Sequence, residues 1–152
     1  MSLSCTPEAR THAVVKYFET LSPETVSQLA THYANDARFK DPFNDVQGLP
    51  AIEAIFQHMF RTLRNPRFVV TGKVCEGAQC FLTWDFLFTT RTGAKPAEFS
   101  IRGSTHLVYA QQPDGAWRIA WHRDYWDAAE ELYEKLPVLG VLMRWLKQRA
   151  RS

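Results

Sequence analysis

The sequence lacks the features that mark several large protein classes. Its three cysteines (Cys5, Cys75 and Cys80) are odd in number and lack metal-ligand spacing, so we expect no metal. Its seven glycines stand singly, so it has no glycine-rich phosphate loop and we expect no cofactor. It has no run of about 18 apolar residues and no apolar leader, so neither a membrane span nor a secretion signal is predicted. A cytoplasmic protein is the resulting expectation.

Cys75 and Cys80 flank a short polar segment and could face each other across a hairpin. A cytoplasmic location favours reduced thiols over a disulfide, so we expect these two cysteines to be reduced.

The composition indicates one globular domain. The chain has 152 residues, of which 45% are hydrophobic and 22% charged, so it can bury a core and is not disordered. The net charge of +2 is too balanced for a general nucleic-acid binder. We expect a single domain over residues 1–152, with 127–152 as a C-terminal helical extension.

Apolar residues recur with helical spacing in the first part of the chain and predict three helices. The first starts at Thr6-Pro7-Glu8, a capping residue followed by a proline in the first turn. The second is a short stripe from Val26 to Tyr33, and the third runs from Pro50 until Asn65-Pro66 stops it. Between them we expect a brief strand over 37–41 and a loop as far as Gly48.

Beyond residue 66 the pattern changes to the alternation of strands. It predicts four long strands at 67–76, 79–91, 97–110 and 117–126, then a helix capped by Asp127. The order indicates an α+β fold in which helices pack on one face of a curved, mostly antiparallel sheet. A curved sheet closed by helices forms a cone, and its cavity is a natural ligand site. In the last strand, Trp117, Ile119 and Trp121 are expected to face away from this cavity.

The segment Tyr33-Ala34-Asn35-Asp36-Ala37-Arg38-Phe39-Lys40-Asp41-Pro42-Phe43 resembles the NTF2-like superfamily, and within it the ketosteroid isomerases and SnoaL-like polyketide cyclases. The resemblance implies an NTF2-like cone with an apolar cavity, a cofactor-free isomerase or cyclase acting on a small hydrophobic carbonyl compound, and a homodimer. It also implies that Asp41 is the general base, Tyr17 the oxyanion-hole tyrosine and Trp126 a pocket residue. The catalytic carboxylate of the cyclases corresponds to Asp124.

One position departs from the isomerase pattern. The second oxyanion donor of those enzymes is an aspartic acid, and Thr105 or one of its neighbours stands there instead. The departure favours the alternative function of a non-catalytic ligand-binding or assembly module on the same fold.

The residues themselves leave alternatives open at each candidate position. Asp41 lies between Phe39 and Phe43, which suits a desolvated base, but a turn cap bonded to the next amides is equally compatible. Tyr17 lies on an apolar stripe and could be a core tyrosine.

His122 and Asp124 share a strand face, which suits an acid–base pair or an ion pair bracing the sheet. We list Asp41, Tyr17, His122 and Asp124 as candidate catalytic residues, and Trp126, Thr105, Phe43 and Phe56 as candidate ligand-binding residues.

The C-terminal segment 138–147 is amphipathic with basic residues on its polar side. It could cover the mouth of the cone, dock on a dimer partner or lie on an anionic membrane surface. Four basic residues and one tryptophan are modest for membrane binding, so we expect the segment to pack on protein.

Overall fold

The computed structural model describes residues 6–90, 98–131 and Gln148. Helices and strands follow one another in the order α1 (Pro7–Glu19), a 3-10 turn (Val26–Gln28), α2 (Leu29–His32), β1 (Tyr33–Lys40), β2 (Asp45–Gln47), α3 (Leu49–Thr62), β3 (Leu63–Glu76), β4 (Gln79–Thr90), β5 (Glu98–Gln111), β6 (Trp117–Tyr125) and α4 (Ala128–Glu131). The predicted loop at 92–96 and the predicted amphipathic segment at 138–147 lie outside the described residues, as does Cys5.

The strands form one curved sheet in the order β2-β1-β6-β5-β4-β3. Strands β3, β4, β5 and β6 pair antiparallel, each with the next. Strand β1 pairs parallel with the other edge of β6. Helices α1 and α3 pack against this sheet, mainly against β3 and β1. The predicted α+β architecture is confirmed, and none of the described helices is long and apolar enough to cross a membrane.

Local sequence signals position the helix ends. Thr6 accepts a hydrogen bond from the Ala9 amide at 3.2 Å, and Pro7 follows in the first turn of α1. Asp127 caps α4 in the same way, accepting from the Ala129 and Glu130 amides. These caps satisfy backbone donors that the first helical turn leaves without partners.

The core lies between the helices and the concave face of the sheet. In β4 and β5 the alternating apolar residues are buried, since Leu82, Ile101 and Leu107 are each at most 5% exposed. Phe86 is half-buried and stacks on Phe68 of the neighbouring strand, with ring centroids 4.6 Å apart.

Three boundaries differ from the prediction. The second helical stripe ends at His32, because Tyr33 adopts extended backbone angles and starts β1 four residues earlier than expected. Residues 45–47, predicted as loop, form the edge strand β2, which the Arg38–Asp45 ion pair joins to β1. Strand β3 begins at Leu63, before Pro66, because a register shift near Asn65 accommodates the proline.

The predicted outward faces of Trp117 and Ile119 are wrong, because β6 contains a bulge. Tyr109 pairs with Ile119 but Val108 pairs with Trp121, so Ala120 is an extra residue in β6. Ile119 is therefore fully buried and Trp117 packs against the core, whereas Trp121 stays outside beneath the Arg38 guanidinium. In a strand without the bulge, strict alternation would place all three residues on the outer face.

The expectation of reduced thiols at residues 75 and 80 is wrong. Cys75 and Cys80 are direct partners in the β3–β4 hairpin, with Cα atoms 4.1 Å apart, and their sulfur atoms form a disulfide. The antiparallel register brings the two side chains to one face of the hairpin, within bonding reach.

Candidate functional site

A small enclosed cavity lies between the helices and the concave face of the sheet. Its volume is about 20 Å³, which is room for about one water molecule. Most of its wall is aromatic or aliphatic, and three polar side chains from β5 and β6 complete it. The lining residues are Phe18, Phe56, Phe68, Val70, Leu82, Trp84, Thr105, His122 and Asp124.

Asp124 is the central polar group of this wall. Its Oδ1 lies 2.7 Å from Nε2 of His122 and 2.5 Å from Oγ1 of Thr105. The side chains of His122 and Asp124 are only 4% and 16% exposed, so the pair is largely shielded from water. The bulge at Ala120 restores the inward direction of His122 and Asp124 after the buried Ile119.

Two buried residues that the sequence did not single out extend this cluster. Tyr33 is fully buried, and its hydroxyl lies 2.7 Å from Nδ1 of His122. Trp84 donates its indole N–H to Oγ1 of Thr105 at 2.8 Å. The signal that could have indicated both is chemical, because a buried tyrosine or tryptophan needs a partner for its polar atom.

A second, open depression borders the outer end of the same site. It has a volume of about 570 Å³ and, with Asp124, includes two of the predicted site residues, Asp41 and Trp126. The remaining lining residues are Lys40, Pro42, Arg123, Tyr125 and Asp127. Asp124 lines both the enclosed cavity and this depression.

Asp41 lines the depression and not the enclosed cavity. Its Oδ1 accepts hydrogen bonds from the amides of Phe43 and Asn44, and both of its carboxylate oxygens contact the Asn44 side chain at 3.1 Å. This is the turn-capping arrangement typical of an aspartate before a proline. The alternative of a turn cap therefore describes the geometry of Asp41.

Tyr17 has its hydroxyl directed away from Asp124. The hydroxyl donates to the Thr25 carbonyl at 2.7 Å, and the ring packs on His32 with centroids 4.4 Å apart. Burial, with a smaller contribution from nearby Glu53, raises the pKa of Tyr17 to about 12. The residue has the contacts of a core tyrosine, and its neighbour Phe18 reaches the cavity instead.

The four candidate ligand-binding residues separate into two groups. Thr105 and Phe56 lie in the enclosed cavity. Phe43 is 56% exposed, and its ring meets that of Trp126 edge to face at 5.5 Å, beside the depression. The structure thus brings His122, Asp124, Thr105 and Phe56 together, and leaves Tyr17 outside this cluster.

The arrangement around Asp124 suits proton transfer by a carboxylate. Over residues 6–90 and 98–131, no group of three or more His, Cys, Asp or Glu side chains could hold a metal ion. A shielded carboxylate that accepts hydrogen bonds on one oxygen can accept a proton on the other.

Comparison with known proteins identifies the family. The family model of the SnoaL-like domain matches residues 14–122 of the chain. The chain belongs to this family. No curated protein sequence matches the chain.

Solved structures with the same fold share little sequence with this SnoaL-like protein. A Catenulispora acidiphila DSM 44928 protein with a ketosteroid isomerase-like fold, in complex with trimethylamine, is 17% identical over 84% of this chain and 91% of its own, with a TM-score of 0.65. A candidate SnoaL-like polyketide cyclase from Jannaschia sp. CCS1 is 16% identical over 86% and 92%, with a TM-score of 0.67.

An NTF2-like protein of unknown function from Burkholderia pseudomallei K96243 is 14% identical over 82% of this chain and 92% of its own, with a TM-score of 0.64. At such identities these structures establish the fold, and the chemistry must come from the site.

Proposed function

We propose that this SnoaL-like protein is a cofactor-free acid–base enzyme of the cyclase or isomerase type. Asp124 is the base, and it removes a proton from a carbon atom next to a carbonyl group in a small hydrophobic compound. The observation that supports this role is that the Asp124 side chain is shielded from water and borders both the apolar cavity and the open depression.

Asp124 is a better candidate for the base than Asp41. The Asp41 carboxylate accepts from two backbone amides and an asparagine side chain, and removing it would break the turn at 41–44. At Asp124 both protein donors bond to Oδ1. Its Oδ2 has no hydrogen-bond partner among the described residues and is free to accept a proton.

The hydrogen bonds of the cavity direct the negative charge of the substrate towards the depression. The side-chain donors that line the cavity are the Trp84 indole, the Thr105 hydroxyl and the His122 ring, and each already has an acceptor or partner in the cluster. The depression is lined by two cationic side chains, Lys40 and Arg123. An enolate oxygen that forms there would be stabilised by these charges.

The volumes indicate where the substrate lies. About 20 Å³ is far too small for an organic molecule, whereas the depression of about 570 Å³ falls within the roughly 300–1,000 Å³ typical of ligand sites. We therefore place the substrate in the depression, against Trp126, with its reacting carbon directed to Asp124.

One observation favours the alternative of a non-catalytic ligand-binding module. The hydroxyl groups of Tyr17 and Thr105, which correspond to the oxyanion donors of the isomerases, donate to the Thr25 carbonyl and to Asp124. A protein of that kind would bind a hydrophobic ligand through its aromatic wall and would have no turnover to lose.

A proton-abstraction assay with 5-nitrobenzisoxazole distinguishes the two functions. In this reaction a base removes the ring C–H proton, and the C–H electron pair forms the third bond of a nitrile as the N–O bond breaks. The N–O electron pair stays on the oxygen of a coloured cyanonitrophenolate, which needs no oxyanion donor. We expect turnover by the wild-type protein and a decrease in kcat/KM of about 10²–10⁴-fold in Asp124→Asn.

A matched variant completes the assay. Asp114→Asn, at a turn aspartate paired with Arg118, should retain wild-type turnover. Equal rates for wild type and Asp124→Asn would contradict the role of Asp124, and binding without turnover in every variant would support the ligand-binding module.

A further inference from the structure

Tyr33 contacts His122 from the side opposite Asp124. The hydroxyl of Tyr33 lies 2.7 Å from Nδ1, and the Nε2 atom of the same ring lies 2.7 Å from Asp124. Phe39 is the strand partner of His122, whereas Tyr33 pairs with Ile119. The register between β1 and β6 shifts after Tyr33, and the Tyr33 hydroxyl lies within hydrogen-bond distance of the His122 ring. Both ring nitrogens of His122 thus have a hydrogen-bond partner.

The direction of each hydrogen bond in the cluster follows from the Trp84 indole and the Asp124 carboxylate. An indole N–H can only donate, so Thr105 accepts from Trp84 and its own hydrogen goes to Asp124. The Asp124 carboxylate can only accept, so Nε2 of His122 carries a hydrogen directed to it. In the neutral ring Nδ1 then presents a lone pair, and the Tyr33 hydroxyl donates to it.

The opposite tautomer would disrupt two hydrogen bonds. Its Nε2 lone pair would face the Asp124 carboxylate, and the hydroxyl hydrogen of Tyr33 would lose its acceptor at a site that is 0% exposed. A buried polar group without a partner destabilises the folded state. Burial also raises the pKa of Tyr33 well above its usual value, so the hydroxyl keeps the hydrogen that it donates.

We propose that Tyr33 is a positioning residue that holds His122 in the tautomer with its hydrogen on Nε2. In that tautomer both His122 and Thr105 donate to Oδ1 of Asp124, and Oδ2 is the oxygen that accepts the substrate proton. The assignment of Oδ2 rests on the proposed function, whereas the tautomer of His122 does not. Tyr33 touches no substrate and acts through His122.

The test is the ring nitrogen spectrum of the full-length protein labelled with ¹⁵N. Long-range ¹H–¹⁵N correlations distinguish the two tautomers of each of the five histidines, and the loss of one pattern in His122→Gln assigns His122. We expect a protonated Nε2 and a lone-pair Nδ1 in the wild type. In Tyr33→Phe the Nδ1 signal should shift and the tautomers should mix.

Tyr109→Phe is the matched control, because it also removes a buried hydroxyl, one that is bonded to Thr11 at 2.7 Å. It should leave the His122 signals unchanged. A wild-type His122 with its hydrogen on Nδ1, or identical His122 signals in wild type and Tyr33→Phe, would overturn the proposal.

If Tyr33→Phe does not fold, the wild-type protein still decides. A slowly exchanging Tyr33 hydroxyl hydrogen close to the His122 ring supports the proposal, and its absence overturns it. The spectra need no substrate, so an inactive protein with the expected tautomer would refute only the proposed catalysis. An active protein with the other tautomer would refute only the role of Tyr33.

Discussion

Thr105 connects Asp124 to the tryptophan beneath it. Its hydroxyl accepts from Trp84 and donates to Asp124, using the two capacities that distinguish a hydroxyl from an apolar group. The resemblance implies that the isomerases have an acid at Thr105 or at one of its neighbours. Here Thr105 supports a neighbouring carboxylate and supplies none of its own.

Thr105→Val tests this connection. Valine has nearly the shape of threonine but leaves the buried Trp84 N–H without an acceptor and Asp124 with one donor fewer. We expect a loss of about 1–3 kcal/mol in the free energy of unfolding, measured by urea denaturation. Thr105→Ser keeps the hydroxyl and should retain more of that stability; unchanged stability in Thr105→Val would contradict the role of the hydroxyl.

The pair of strands β4 and β5 is built around a close approach at Gly103. Gly103 is the strand partner of Trp84, and a Cβ atom at this position would come within 2.8 Å of three atoms of the Trp84 ring. The absence of a side chain therefore makes room for the ring that lines the cavity and donates to Thr105.

Gly103→Ala should displace the Trp84 ring. We expect the variant to be destabilised by about 1–3 kcal/mol, as for other overpacked cores, with a change in tryptophan fluorescence. Gly77→Ala is an informative comparison, because a Cβ atom there meets nothing within 4 Å, although its positive φ adds strain. An unchanged fluorescence spectrum in Gly103→Ala would contradict the proposed packing.

Helix α2 ends in a histidine that favours the neutral form. The ring of His32 packs on Tyr17, and its Nδ1 is buried without a hydrogen-bond partner among the residues that the structure describes. Burial, and secondarily the positive charge of Arg10, lower the pKa of His32 from 6.5 to about 4. The folded protein therefore binds fewer protons at this site than the unfolded chain between these two values.

The stability contributed by neutral His32 should be complete above pH 6.5 and lost as the pH falls towards 4. His32→Phe keeps the ring contact and removes the titration, so its melting temperature should decrease less than that of the wild type over this interval. His58→Phe, at an exposed position of α3, should behave as the wild type. Parallel curves for wild type and His32→Phe would show that His32 does not control this dependence.

On the scale of the whole molecule, the outer face of the sheet carries exposed apolar side chains. Val74 and Phe81 are strand partners and are 70% and 47% exposed, and His106 stacks on Phe81 with ring centroids 4.4 Å apart. The homodimer implied by the resemblance stays a prediction, and this face is where we place its contact.

Phe81→Lys should weaken association of the full chain, because a charge would have to be buried in the contact. Sedimentation velocity should show a dimer for the wild type and a shift towards monomer for the variant. Phe43→Lys, at an exposed residue beside Trp126, is the control and should remain dimeric. A monomeric wild-type protein would contradict the prediction directly.

Local signals in the sequence determined much of the fold. The caps at Thr6 and Asp127, the apolar faces of β4 and β5 and the change of period after residue 66 depend on residues a few positions apart. The shared face of His122 and Asp124 follows from the same local alternation, so this half of the candidate site was predictable.

Only the tertiary structure decided how the strands align and which side chains meet. The contact of Tyr33 with His122 joins residues 89 positions apart, and it depends on the register between β1 and β6. The bulge at Ala120 depends on pairing with β5, and the Cys75–Cys80 disulfide on the register of the hairpin. Register is set by packing across strands, which a pattern read along one strand does not contain.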